Sequence, residues 1–205
     1  MAAFEYCSLN YLNQWLSHDR AYCQVFSEGN KTEKLNMLKR AADFYKVARN
    51  LPKKFDEGQK LERYEPVLEI IESVDKNDFN EDPLLKIREI EGKISKKYGN
   101  RSVLSLTTKF LWLKIKQPIL IYDSQARIAL NVPNGDLEKY YDKWRVSFGD
   151  RKNEIIKACS ELPKMHLYTI DNEVGTQEYI KSLVGNSWFH ERVFDIYLWN
   201  EGKKP

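Results

Sequence analysis

Apolar residues recur three or four places apart along most of the chain, with polar residues between them, the spacing of helices that each bury one stripe. Residues 4–26 carry Leu9, Leu12, Leu16, Tyr22 and Phe26 three, four or six places apart, and Gly29-Asn30 stops the run. Thr32 is placed to cap a second helix whose stripe is Leu35, Leu38, Ala42, Tyr45 and Val47, ending at Leu51-Pro52. A basic-acidic turn over residues 53–58 leads to a helix through Val67, Leu68, Ile70 and Ile71. Residues 75–82 read as a polar loop. Asp82-Pro83 then pairs a capping carboxylate with Pro at the first helical position, and that helix runs to Tyr98 before Gly99-Asn100.

Ser102 opens the most apolar helix, VLSLTTKFLWLKI, which Pro118 brings to a stop. After the extended Ile119-Leu120-Ile121-Tyr122, Asp123 stands at the N-cap of a short helix, QARIAL. Val132-Pro133-Asn134-Gly135 reads as a turn, and Asp136 caps a helix through Tyr140, Tyr141 and Trp144. A separate helix is expected over 152–162, an ambiguous β-prone stretch over 166–170, and two last helices around Tyr179 and over 187–199. No alternation persists long enough to build a sheet. The pattern predicts an all-α fold of about eight to ten helices, one domain over 1–205, with 1–80 and 81–205 as candidate sub-layers.

A chain of 205 residues is long enough to bury a core without disulfides or a structural metal. Its three cysteines, Cys7, Cys23 and Cys159, are far apart and odd in number, against a secreted disulfide scaffold. The N-terminus lacks a basic-then-apolar leader pattern and no run is long enough for a membrane span, so a cytoplasmic monomer away from membranes is expected. His18, His166 and His190 have no His or Cys neighbour at ligand spacing, so no metal is expected. Neither a phosphate-cradling glycine loop nor a GxSxG nucleophile elbow occurs. An enzyme with this sequence works with carboxylates, lysines and tyrosines in a helical frame, and no cofactor is called for.

Net charge is only +3, but its distribution is uneven. Residues 84–127 hold ten Lys/Arg against three Asp/Glu, so the remainder of the chain is net −4. Such a belt suits a phosphate backbone; it equally suits solvated faces of amphipathic helices.

Within that belt, Ser105, Lys109, Trp112 and Lys116 fall on one stripe of the apolar helix, beside a core face of Leu106, Phe110 and Leu113. Lys109 there either snorkels, stem packed and ammonium at the surface, or contacts a ligand. Asp123, capping its helix, accepts hydrogen bonds from free N–H groups and feels the positive end of the dipole, which keeps it ionised. It is either a cap alone or a fixed carboxylate able to stabilise positive charge or orient a water.

The order of these elements resembles the catalytic core of the helix-hairpin-helix DNA glycosylase superfamily: a lysine-bearing apolar helix, a Pro-containing extended turn, then an Asp opening the next helix. In particular it resembles the divergent prokaryotic 8-oxoguanine-glycosylase-like proteins, some of which act in phage defence. Thr108-Lys109 and Ile121-Tyr122-Asp123-Ser124 carry the resemblance, with the run WFHERVFDIYLW over 188–199. One glycine, Gly99, stands where the superfamily's hairpin has a Gly-x-Gly turn, and fourteen residues separate Lys109 from Asp123.

The resemblance implies a monofunctional DNA glycosylase that flips a modified base from double-stranded DNA and hydrolyses its N-glycosidic bond. Asp123 would stabilise the oxocarbenium-like sugar, and Lys109 would contact phosphate or base, or attack the sugar as an amine. Arg101, Lys114, Lys116 and Arg127 are the candidate phosphate contacts, and Trp112, Tyr122 and Trp144 the candidate walls of a base pocket. The alternatives are a non-enzymatic nucleic-acid-binding helical protein, and a partner-binding protein anchored by Phe189, Val193, Ile196 and Tyr197.

Overall fold

The computed structural model describes residues 3–52, 62–171, 173 and 175–203, and among them the chain is all-helical with no strand. The helices are α1 (Phe4–Gln14), α2 (Arg20–Glu28), α3 (Lys31–Phe44), α4 (Glu65–Glu72), α5 (Pro83–Lys97), α6 (Leu104–Ile115), α7 (Ser124–Ala129), α8 (Leu137–Glu161), α9 (Gln177–Val184) and α10 (Ser187–Glu201). The all-α class and the number of helices agree with the periodicity. The turn expected over 53–58 lies outside the described residues.

Three caps sit where the sequence places them. Asp82 accepts from the N–H groups of Leu84 and Leu85 at 3.0 Å each, Asp123 from Gln125 at 2.9 Å, and Asp136 from Lys139 at 3.0 Å. Other local expectations are corrected. Asn30, not Thr32, caps α3: its side chain accepts from Glu33 N–H while Glu33 reaches back to the Asn30 N–H, a reciprocal box at the spacing such boxes require. Residues 152–162 form no separate helix but continue α8 through Gly149, because the buried stripe of Tyr140, Tyr141 and Trp144 resumes at Ile155, Ala158 and Cys159. The supposed loop over 75–82 contains a 3₁₀ turn (Lys76–Phe79) that buries Phe79, and the β-prone stretch is 3₁₀ as well (Leu162–Tyr168).

The chain divides into two compact units. The first comprises residues 1–21 and 122–205, the second residues 22–121. In the first, α1 packs on α8 and α10, and α10 packs on α7. Tyr11, Leu12, Tyr140, Tyr141, Phe189 and Phe194 form its core. In the second, α4 packs on α3 and α5, and α5 packs on α6. These boundaries do not follow the 80/81 division. A unit assembled from both chain ends depends on long-range pairing that local pattern does not encode.

Between α1 and α2 the helix loosens into a π-helical turn (Trp15–Asp19). Asp19, at its end, is fully buried. No helix among the described residues is long and apolar enough to cross a membrane.

Candidate functional site

In the first unit, Asp123 is half-buried at the start of α7, in an extended backbone conformation. Two contacts hold the segment. The Asp123 carboxylate caps α7 through Gln125. Its neighbour Tyr122 is pinned too: the Tyr122 hydroxyl accepts from Gly135 N–H at 2.7 Å, and its ring lies 4.9 Å from that of Tyr140. The helix behind the carboxylate is fixed by α10, since Gly202 lies so close to Gln125 that a Cβ there would come within 1.9 Å of the Gln125 carbonyl oxygen.

A buried polar network lies behind this residue. Trp144 Nε1 donates to Asp195 Oδ1 at 2.8 Å, Arg192 Nη1 donates to Asp195 Oδ2 at 2.7 Å, and Arg192 Nη2 is 3.9 Å from Asp19. Asp19 in turn accepts from the Gln14 amide at 3.1 Å. Burial raises the Asp195 carboxyl above the usual carboxylate range; Arg192 and the Trp144 hydrogen bond pull it back, and Asp123 adds to the rise. Burial also pushes the Tyr140 hydroxyl far above an ordinary phenol, with Asp195 and Asp123 reinforcing the shift.

Asp19, Arg192 and Asp195 are not among the site residues to which the sequence points. A signal was available for two of them: Arg192 and Asp195 are charges three residues apart inside the otherwise apolar, aromatic run over 188–199. Charges placed there must either pair inside or face out.

The expected first-unit residues otherwise serve packing. Trp144 is 2% exposed, stacked on Phe148 and edge-on to Phe194, and Tyr122 is 5% exposed. Arg127 gives an Nη1–H to the Val132 carbonyl at 2.7 Å, closing the turn after α7. A cleft of about 260 Å³ lies between α7, α8 and α10, rimmed by Arg151 and Glu201, and Asp123 does not line it.

The second unit carries the rest of the basic belt. Helix α6 is buried on nearly every side, so its lysines are held rather than displayed. Lys109 is 4% exposed and donates from Nζ to Ser105 Oγ at 2.8 Å, which is not a snorkelling lysine. Trp112 is 1% exposed, with the Lys116 ammonium 5.8 Å from its ring centroid. Lys114 donates to the carbonyls of Ile71, Glu72 and Val74, satisfying the orphan acceptors at the end of α4. Burial holds its ammonium below the usual lysine range.

Lys116 ends α6 at φ 59°, ψ −98°, a backbone conformation that costs a non-glycine residue energy. Its carbonyl accepts from Ile119 N–H at 2.8 Å, and the Gln117–Pro118 peptide within that turn is cis. Arg101 is exposed in the α5–α6 connection, with Lys96 and Lys97 exposed at the end of α5.

The two units thus divide the expected constellation. Asp123, Arg127, Tyr122 and Trp144 belong to the first; Lys109, Trp112, Arg101, Lys114 and Lys116 belong to the second. No group of three or more His, Cys, Asp or Glu side chains among the described residues is arranged to hold a metal ion. No family model, curated protein or solved structure matches this chain.

Proposed function

We propose that this protein excises a modified base from double-stranded DNA by hydrolysing the N-glycosidic bond, in the manner of the helix-hairpin-helix glycosylases that residues 102–130 resemble. Base removal as an antiphage defence is the biological setting that resemblance suggests. The observation that carries the reading is the placement of Asp123. It is a half-buried carboxylate at a helix start, tethered through its own side chain and through the preceding residue, whose hydroxyl is pinned by Gly135.

The chemistry asks for such a group. As the bond to the base lengthens, the sugar acquires oxocarbenium character, and a carboxylate already fixed nearby stabilises that charge without reorganising. The same oxygen atoms orient the water that completes hydrolysis. The capping N–H and the positive end of the helix dipole favour negative charge at this position.

Lys109, buried and donating to Ser105, serves on this reading to hold α6 rather than to touch the DNA. Arg101 and Lys116, with Lys96 and Lys97, position the DNA backbone. Lys114 and Arg127 are occupied with main-chain carbonyls, and Trp112, Tyr122 and Trp144 are closed in by packing; their contribution is to hold the frame.

The test is incubation of the protein with duplexes carrying a panel of oxidised, alkylated and otherwise modified bases, followed by detection of abasic sites. Release of one base class supports the reading.

A second reading, partner binding without catalysis, is favoured by one observation. Leu167, Tyr168 and Ile170 are 66%, 74% and 68% exposed, a contiguous apolar strip of the kind that marks interaction surfaces. Of the anchors first expected for that reading, Phe189, Val193 and Tyr197 are core and Ile196 is half-buried.

A further inference from the structure

Asn134-Gly135 is the one asparagine–glycine pair in the sequence. It occupies the middle of the turn between α7 and α8, which the Asp136 N–H closes onto the Pro133 carbonyl at 3.4 Å. Asn134 is exposed, and Gly135 stands at φ 82°. A Cβ on Gly135 would meet nothing within 4 Å, so it is the backbone of the turn, not a lack of space, that calls for glycine.

The same glycine makes the turn reactive. The side-chain amide carbon of an asparagine can be attacked by the backbone nitrogen of the next residue, and a glycine has no side chain to crowd that approach. The Gly135 nitrogen would bond to Asn134 Cγ, the Cγ–Nδ2 bond would break, and ammonia would leave with the proton given up by Gly135. The cyclic imide then takes up water at either carbonyl. One opening leaves aspartate at 134; the other leaves isoaspartate, whose main chain runs through Cβ and is one carbon longer.

The proton that must leave is one the fold already uses. Gly135 N–H donates to the Tyr122 hydroxyl at 2.7 Å, and Tyr122 is itself held, buried, with its ring 4.9 Å from that of Tyr140. The hydrogen bond and the imide exclude each other, because an imide nitrogen has no hydrogen to donate. Ring closure in the folded protein therefore begins by breaking a hydrogen bond, which slows it about 3- to 10-fold for a contact of ordinary net strength.

We propose that Asn134 is a site of spontaneous deamidation, restrained in the folded protein by the Tyr122 hydroxyl. Ring closure takes the Gly135 hydrogen bond from Tyr122, and hydrolysis places a new carboxylate just ahead of α8, where the positive end of the helix favours it. The site and its restraint stand apart from any reading of Asp123.

The experiment incubates the full chain in mildly alkaline buffer, folded or unfolded in guanidinium chloride, and follows its tryptic peptides by mass spectrometry with fragmentation. Asn131 and Asn134 share the peptide 128–139, so Asn131, followed by β-branched Val132, is the internal comparison. In guanidinium the mass gain of amide-to-acid conversion is expected at Asn134 and not at Asn131, with isoaspartate among the products. Folded wild type should convert Asn134 more slowly. Tyr122→Phe, shown folded by circular dichroism, should convert it about 3- to 10-fold faster than folded wild type, and at the wild-type rate once unfolded.

An unfolded chain that leaves Asn134 intact overturns the site. Equal rates for folded wild type and Tyr122→Phe, or an acceleration that persists in guanidinium, overturn the restraint by Tyr122. Hydrogen exchange on wild type decides the same point if Tyr122→Phe does not fold: a Gly135 amide exchanging as fast as an open one contradicts the restraint, and a protected amide supports it.

Discussion

Trp144 donates its indole N–H to Asp195 at 2.8 Å, so the largest ring on α8 is fastened to a carboxylate that is itself sealed inside the first unit. The other oxygen of Asp195 is taken by Arg192, and the pair is buried. Removing one member of a buried pair strands the other charge, which costs about 3–5 kcal/mol. Asp195→Ala, which removes the acceptor of both the Trp144 indole and the Arg192 guanidinium, is expected to lose stability on that scale, measured by urea unfolding.

The pH dependence of that difference has a definite sign. Burial, partly offset by Arg192, raises the Asp195 carboxyl in the folded protein above the value of about 3.8 it has in an unfolded chain. The native state then holds this proton at pH values where the unfolded chain has released it, so the contribution is complete below pH 3.8 and declines as pH rises through the folded value. The advantage of wild type over Asp195→Ala should therefore narrow with rising pH across that window. A widening advantage would mean that the charged form is the favoured one inside.

Gly149 lies in the interior of α8, and a Cβ there meets nothing within 4 Å. Gly149→Ala is expected to stabilise the protein by up to about 1 kcal/mol, since alanine has the higher helix propensity and fewer unfolded conformations. A loss of stability would argue for a break at this position and for two helices.

Gly202 gives the opposite expectation. A methyl group there would come within 1.9 Å of the Gln125 carbonyl oxygen, which is backbone and cannot rotate away. Gly202→Ala must push α10 off α7, at a cost of about 1–3 kcal/mol. Because α7 begins at Asp123, the same substitution should also slow base release in protein that remains folded by circular dichroism.

The contrast between these two glycines also shows what could be read in advance. Caps are local: Asp82, Asp123 and Asp136 each announce a helix by the two or three residues that follow, and each holds one. Gly149 and Asp150 resemble a stop, yet one glycine costs a helix only about 1 kcal/mol, and the stripe from Tyr140 to Cys159 outweighs it. Asn30 looked like the end of one helix because the matching Glu33, three residues on, belongs to the next.

The candidate site was legible only in part, for a related reason. Asp123 could be placed because its role as a cap depends on adjacent residues. Whether Trp112 or Trp144 shows a face to solvent depends on what covers it. On α6 that cannot be read from periodicity, because the helix is apolar on nearly all sides. The partners of Lys114 are some forty residues away in sequence, and the network of Asp19, Arg192 and Asp195 joins the two chain ends.

The most direct measurement is single-turnover base release by wild type and Asp123→Asn on the duplex that wild type attacks best, at matched DNA occupancy. Asparagine retains an oxygen to accept the Gln125 N–H, so the helix keeps its cap while the negative charge is lost. The expected result is unchanged DNA affinity with release slowed about 1,000-fold or more, the scale on which a preorganised charge acts. Release by Asp123→Asn at the wild-type rate would contradict the assignment and leave Asp123 as a helix cap alone.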